Sequence, residues 1–480
     1  MSEFDSLLSL SILASEKIKN GLLSDALKLI HDFVEEVITV PLCTAQVFGS
    51  PVLDDLCQEI GRLSLNALPV LDDQHSNKSA EANEIVVYIV TKLQNSGGHS
   101  RVIEDFIRAQ PHLTHMILST ELSGHSSVDY INGITALPNV KVECCEKGDF
   151  YKKLMWLQQR LIALKSKKVY LFNNHQDSVA VAALQPSLSK SAAYYHHGDH
   201  HLCLGVYVNF LEHIDPHPMG YHNCRHVLGI NNIYIPLTVD DKSRIVSDKK
   251  MTNGDLLTTC TAARSNKVEV PYFVRYVEVI PQLMAATGGK HIHIGQLTPW
   301  ALYRIHKNLK RLNISVERFV YIPWVPSVWK ALQELDVDLY LASFPYGGGL
   351  TLIEVMGAGI PVVLHQHLIS RVLSGIDMAY DGVFYWQQPQ ELIDYCSSVT
   401  PEQLKESAEL GRKHYELYHR HALLEDILVH GVQVTPPVVS WQFRARTDEW
   451  AYWITTQLRF SDVLYRYLYR NYRKIRAIFA

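Results

Sequence analysis

The chain lacks an excess of positive charge, a long apolar run and cysteines at ligand spacing, and each absence removes a class of function. A formal net charge of -4 over 480 residues does not suit a nucleic-acid binder, whose domains carry a basic excess to meet phosphates. No nucleic-acid partner is therefore expected. Nowhere does the sequence approach the ~20 consecutive apolar residues that cross a bilayer. Acidic Glu3 and Asp5 stand where a secretory signal would be basic, so a cytoplasmic location is expected. The eight cysteines are scattered without CxxC spacing, which indicates neither a zinc site nor a disulfide framework but reduced, buried thiols.

What is present is an ordinary folded composition, 47% hydrophobic and 20% charged, long enough for two or three domains. Residues 1–80 carry helical periodicity, with Leu22, Leu23, Ala26, Leu27 and Ile30 on one stripe, and read as a helical N-terminal extension. A polar stretch from Asp72 to Asn83 closes it. From Glu84 strands alternate with helices: Ile85–Val90, His115–Leu118, Val169–Phe172 and Ala192–Tyr195 are short, buried and rich in β-branched or aromatic residues. A second such series begins near Leu256 and includes His291–Gly295, Phe319–Ile322, Asp338–Ala342 and Pro361–Leu364. Alternation of this kind predicts an α/β fold of two doubly wound parallel sheets, over 84–245 and 250–440, with ligands at the carboxyl ends of the strands and a cleft between the domains. Residues 441–480 are expected to form a closing helix that crosses back to the first domain. Its basic, aromatic run from Arg459 to Ala480 packs there or touches an anionic membrane surface.

Three polar constellations sit at strand ends. Gly347, Gly348 and Gly349 follow the strand at 338–342 and precede an amphipathic helix carrying Leu350, Thr351 and, one turn on, Glu354. Glycines at a strand-to-helix junction let backbone N–H groups approach an anion that the helix dipole favours, and a carboxylate one turn in can accept from the hydroxyls of a ribose. On the same domain, Arg264 and Lys267 stand after the first strand, where a cation can neutralise a leaving diphosphate. In the first domain, His196, His197, Gly198, Asp199, His200 and His201 follow the strand ending at Tyr195. Ligands so close in one loop seldom converge on one ion, so no metal is expected there. Imidazole beside a carboxylate suits general base catalysis, and histidines that merely bond the loop are the plain alternative. The turn Gly97-Gly98-His99 lacks the third glycine of a dinucleotide fingerprint. Its use is either to bring Gly98 and His99 to the cleft or simply to start a helix.

Lys267 with Pro271-Tyr272-Phe273, the run His291–Gly295, Phe344-Pro345-Tyr346-Gly347 with Glu354, and Leu368–Val372 together resemble the C-terminal half of GT-B glycosyltransferases. The similarity is closest to the family of O-GlcNAc transferases and bacterial adhesin N-glycosyltransferases. It is good over 255–375 and faint over 84–240, where His196-His197-Gly198 is the main shared-looking element. The resemblance implies an acceptor-side Rossmann-like domain at 84–245 and a nucleotide-sugar-binding one at 250–440. Lys267 would bind the donor phosphates, Gly348, Gly349, Leu350 and Thr351 the diphosphate, and Glu354 the ribose. His197, with Asp199 and His196, would supply the base. The expected reaction is sugar transfer from a UDP-sugar to a protein or glycan acceptor, without metal or other cofactor. A sugar-nucleotide epimerase of the same fold and a non-catalytic partner subunit are the alternatives. Where retaining relatives carry a glutamate eight residues before the ribose-binding one, this chain has Tyr346.

Overall fold

The computed structural model describes residues 3–39, 45–68, 84–95, 98–243 and 256–458, together with Leu464 and Leu468. The chain divides into two compact units, the first Met1–Thr238 with His421–Pro436 and the second Val239–Arg420 with Pro437–Ala480.

Unit 1 holds strands β1 (Ile85–Val90), β2 (Thr114–Ser119), β3 (Val140–Cys144), β4 (Lys168–Phe172), β5 (Ala192–Tyr195), β6 (Glu212–Asp215) and β7 (Asn232–Tyr234). Among the described residues they form one parallel sheet in the order β3-β2-β1-β4-β5-β6-β7. β1 and β4 are buried nearly throughout, as central strands covered on both faces must be. Only Val140 of the edge strand β3 is buried, and its weak apolar pattern is why it is not evident in the sequence.

The N-terminal helices Glu3–Lys19, Leu23–Thr39 and Pro51–Ala67 are not a separate body. Leu10, Ala14, Leu27, Ile30, Val34, Leu53 and Ile60 share one core with Val87, Ile89, Leu118 and Leu171. Each such aliphatic side chain contributes roughly 1.5–3 kcal/mol by leaving water. A polar pin adds direction: buried Asp54, on the third helix, accepts from the backbone N–H groups of Gly205 at 2.7 Å and Tyr207 at 2.8 Å. Burial still pushes its carboxyl up to about 7 against those two bonds.

Unit 2 holds β8 (Thr258–Ala262), β9 (Lys290–Ile294), β10 (Phe319–Ile322), β11 (Leu339–Leu341), β12 (Val362–His365) and β13 (Phe384–Trp386). They form a parallel sheet in the order β10-β9-β8-β11-β12-β13. Both sheets are thus wound outward from their first strand in two directions, and the order reverses between β1 and β4 in one and between β8 and β11 in the other. Ligands of open α/β sheets bind beyond the carboxyl ends at such a reversal.

The chain returns to unit 1 through His421–Pro436, whose helix His421–His430 packs on the helix Gly98–Ala109. From Pro437 it groups with unit 2 again, where the helix Thr447–Thr456 sets Trp450 and Trp453 into the core. The basic run 459–480, and with it the expected membrane contact, lies outside the described residues apart from Leu464 and Leu468. Among the described residues no helix is long and apolar enough to cross a membrane.

Candidate functional site

At the reversal point of unit 2, two chain segments meet. After β8 comes the single-turn helix Ser265–Val268, and after β11 the turn that leads into the helix Gly349–Gly357. Lys267 Nζ donates to the Gly347 carbonyl at 2.6 Å, and the Tyr346 N–H reaches the Lys267 carbonyl at 3.4 Å. Ser343 Oγ closes the turn onto the Tyr346 carbonyl at 2.7 Å. Lys267 is partly buried, and desolvation pushes its ammonium down to about 8. The amine is therefore mostly charged at neutral pH yet poorly hydrated, which favours a strong bond to an arriving anion.

The glycines are not demanded by backbone conformation. Gly348 has φ -114° and ψ 123°, which any residue adopts, and none of Gly347, Gly348 and Gly349 has positive φ. Space is what they preserve. A Cβ on Gly348 would stand 3.4 Å from Lys267 Nζ and 3.5 Å from Thr351 Cβ. Gly348 is the N-cap and offers no side-chain acceptor, so the first-turn N–H groups of Gly349, Leu350 and Thr351 are uncapped donors of the kind that hold phosphate. Lys267, the glycine turn and Thr351 are thus brought together.

Glu354 lies three residues beyond Thr351, on the same helix face. It is not a bare carboxylate: Lys242 Nζ meets its Oε1 at 3.2 Å and Ser327 Oγ at 3.0 Å. Lys242 was not anticipated, because it is distant in sequence and stands in no motif. Arg264 is the N-cap residue of the Ser265–Val268 helix, exposed and without a side-chain cap bond.

The motifs flanking this turn are scaffold. His291 and His293 are buried on β9, and the Tyr276 hydroxyl lies between their rings, 2.8 Å from His291 Nε2 and 2.7 Å from His293 Nδ1. Tyr272 accepts from the Leu368 N–H at 2.8 Å and meets His365 Nε2 at 3.0 Å, fixing the segment after β12. Arg371 forks onto Asp377 at 2.8 and 2.7 Å.

In unit 1 the histidine loop splits into separate surroundings. His197 is half-buried and stacks on His99, with ring centroids 4.0 Å apart and planes 19° from parallel. His175, which follows β4, lies 5.5 Å from the His200 ring and 5.8 Å from that of His201. Burial holds His197 and His175 well below neutrality, with the neighbouring imidazoles adding to it, and pushes His99 down to about 4 and His201 to about 3. These rings are neutral and weakly basic. Gly98 opens the helix bearing His99, and Gly97 is outside the described residues.

Asp199 does not pair with His197. Its Oδ2 accepts from His217 Nδ1 at 2.7 Å, and Oδ1 lies 3.5 Å from His200 Nδ1. Burial would raise this carboxyl, but His217 and His200 outweigh it and hold it well below the usual carboxylate range. An ionised carboxylate that orients one imidazole is the arrangement of a general base pair. His217 escaped sequence reasoning because it enters from beyond β6, eighteen positions from Asp199. His196 is turned away into the interior, with no exposed surface, among His213, Asp215 and Cys224. The expected role of His196 in supplying the base does not fit that burial.

No protein-family model and no curated protein matches the sequence. Solved structures do match the fold. The lipopolysaccharide outer core galactosyltransferase WaaB in apo form aligns with TM-score 0.54 at 13% identity over 72% of this chain and 100% of its own. Anabaena HepE in complex with UDP gives 0.55 at 11% over 72% and 98%, and a glycosyltransferase from Rickettsia africae 0.54 at 10% over 72% and 97%. The chain has the GT-B fold, two parallel Rossmann-like sheets, that these glycosyltransferases share.

Proposed function

We propose that the protein is a glycosyltransferase that binds a UDP-sugar through unit 2 and transfers its sugar to a protein or glycan acceptor served by unit 1. The observation that carries this reading is Lys267 Nζ seated against the Gly347–Gly348 turn at the β8/β11 reversal. Nothing in the backbone requires glycine there, whereas a diphosphate would use both the cleared space and the uncapped N–H groups. Lys267 and the helix N-terminus then stabilise the leaving UDP without a metal ion. Glu354 accepts from the ribose hydroxyls, exchanging part of its pairing with Lys242. UDP as the nucleotide is supported by HepE, whose structures were obtained with UDP and with UDP-glucose.

The acceptor must lose a proton as the sugar arrives. His217, oriented by Asp199 at 2.7 Å, takes the role of base, and burial leaves His197 weakly basic. His197 and His99, as a stacked pair, shape the acceptor side. Titration calorimetry with UDP tests the donor half: wild-type protein binds, and Lys267→Ala weakens binding about 10- to 100-fold, as loss of a charge-assisted hydrogen bond does. Equal affinity in that variant would remove Lys267, and with it this reading of the turn. Hydrolysis of UDP-sugars with and without chelator tests the rest. Turnover that persists in chelator and collapses in His217→Ala is expected, and binding without turnover favours the non-catalytic alternative.

A further inference from the structure

Four potential ligand atoms converge inside unit 1. His196 directly follows β5, His213 and Asp215 are two residues apart on one face of β6, and Cys224 lies on the helix Pro218–His226. The strand register explains the meeting: Tyr194 of β5 pairs with His213, so His196 falls beside Asp215 on the same face. His196 Nδ1 is 3.0 Å from Asp215 Oδ1, 3.3 Å from His213 Nε2 and 3.4 Å from Cys224 Sγ. Cys224 Sγ is 3.5 Å from Asp215 Oδ1, and His213 Nε2 is 3.3 Å from Asp215 Oδ2. All four groups are buried, none more than 4% exposed.

Hydrogen bonds onto Asp215 use one proton each from His196 Nδ1, His213 Nε2 and the Cys224 thiol. They leave His196 Nδ1 packed 3.3 Å from His213 Nε2 and 3.4 Å from Cys224 Sγ with no proton to spare for either, contacts that a shared cation would turn into coordination. For a tetrahedral zinc with bonds of about 2.0–2.1 Å to nitrogen and 2.3 Å to sulfur, neighbouring ligands stand about 3.3–3.6 Å apart. Four of that tetrahedron's edges are present at 3.0, 3.3, 3.4 and 3.5 Å, and all four ligand atoms lie within 4.8 Å of one another. The charge also balances, since one carboxylate and one thiolate with two neutral imidazoles neutralise a divalent ion in a dry interior. Asp215 Oδ1 faces His196 and Cys224, while its Oδ2 accepts from Asn232 Nδ2 at 2.6 Å and lies 3.3 Å from His213 Nε2. Such carboxylate support is common around metal ligands.

We propose that His196, His213, Asp215 and Cys224 bind one zinc ion as a closed structural site. Cys224 gives up its thiol proton on binding. With four protein ligands no position is left for substrate, so the ion ties the end of β5 to β6 and to the following helix. It thereby fixes the start of the loop that carries His197 and Asp199. Mixed nitrogen, sulfur and oxygen ligands in a tetrahedron select zinc over magnesium or calcium.

The test uses the full chain purified without a histidine tag, with metal content measured by mass spectrometry. About one zinc per folded chain is expected, as for other structural sites, falling at least tenfold in Cys224→Ala and His213→Ala but unchanged in Cys203→Ala, whose thiol is buried beside Tyr194. Because the first two variants could fail to fold, wild-type protein stripped of metal and reloaded with Co²⁺ alone gives a second readout. The visible bands of tetrahedral cobalt with a sulfur-to-cobalt charge-transfer band are expected. Folded wild-type protein that neither contains metal nor takes up Zn²⁺ or Co²⁺ would overturn the proposal. Full zinc content in folded Cys224→Ala would overturn it equally.

Discussion

Both units wind a parallel sheet outward from a central pair of strands, yet each gathers its polar cluster at a different place on the sheet. Unit 2 buries His291, His293 and His365 within its strands as scaffold and collects Lys267 and the glycine turn beyond the strand ends, from two stretches far apart in sequence, with Lys267 only partly covered. Unit 1 draws His213 and Asp215 of β6, with His196 just past β5, into the interior and seals them with Cys224. An anion site has to admit and release its ligand, so it forms at mobile-tolerant turns and helix ends. A site that holds the fold together gains by exclusion of water, so it can occupy the core. The same topology accommodates both because strand ends and strand faces are independent positions.

Substitutions of single glycines should separate the two units most sharply. A Cβ at Gly220 would lie 2.3 Å from Asp199 Oδ2. Gly220→Ala should therefore destabilise unit 1 by about 1–3 kcal/mol through overpacking, read by chemical denaturation, while UDP affinity measured under native conditions stays within about twofold. Gly348→Val should do the reverse. Its backbone angles accept valine, so stability should change by less than about 0.5 kcal/mol while UDP affinity falls about tenfold or more, some 1.4 kcal/mol. A large loss of stability in Gly348→Val would mean that the turn needs its glycine for folding, and the contrast would fail.

A smaller effect follows from Lys267, whose ammonium is pushed down to about 8 by burial. Below that pH the free protein already holds the proton that a diphosphate needs. Above it, binding must take the proton up, so the dissociation constant should rise about fivefold from pH 8 to 9. Lys267→Arg should flatten that rise, since a guanidinium stays charged. A pH-independent affinity in the wild type would place the diphosphate elsewhere. The smallest effect belongs to Lys242, whose pairing with Glu354 is partly exposed and worth roughly 0–1 kcal/mol. Lys242→Ala should leave stability nearly unchanged and shift UDP affinity by no more than a few-fold, upward if the pair competes with the ribose.

Legibility in the sequence follows the same division. β1 and β5 have the boundaries their apolar runs predict, because a strand buried on both faces needs apolar residues at every position; β10, a half-buried edge strand, matches its apolar run as well. The turn at 347–349 and Lys267 were legible for a related reason: the site is local, each half lying within a few residues of a strand end. β6, with the sequence Glu-His-Ile-Asp, was missed because its inward residues are polar, and β7 and β13 are only three residues long. His217, Lys242 and Cys224 gave no signal, being far along the chain from the groups they meet.

By itself the sequence determined the doubly wound α/β class, the places of most central strands and the position of the glycine turn between a strand and a helix. Periodicity and turn chemistry are local properties, written in neighbouring residues. Only the tertiary structure decided that the N-terminal helices share the core of unit 1, that Asp199 orients His217 rather than His197, and that His196 turns inward to meet His213, Asp215 and Cys224. Those relations depend on strand register and on helices arriving from elsewhere in the chain, and no local pattern encodes which distant residues will stand opposite one another.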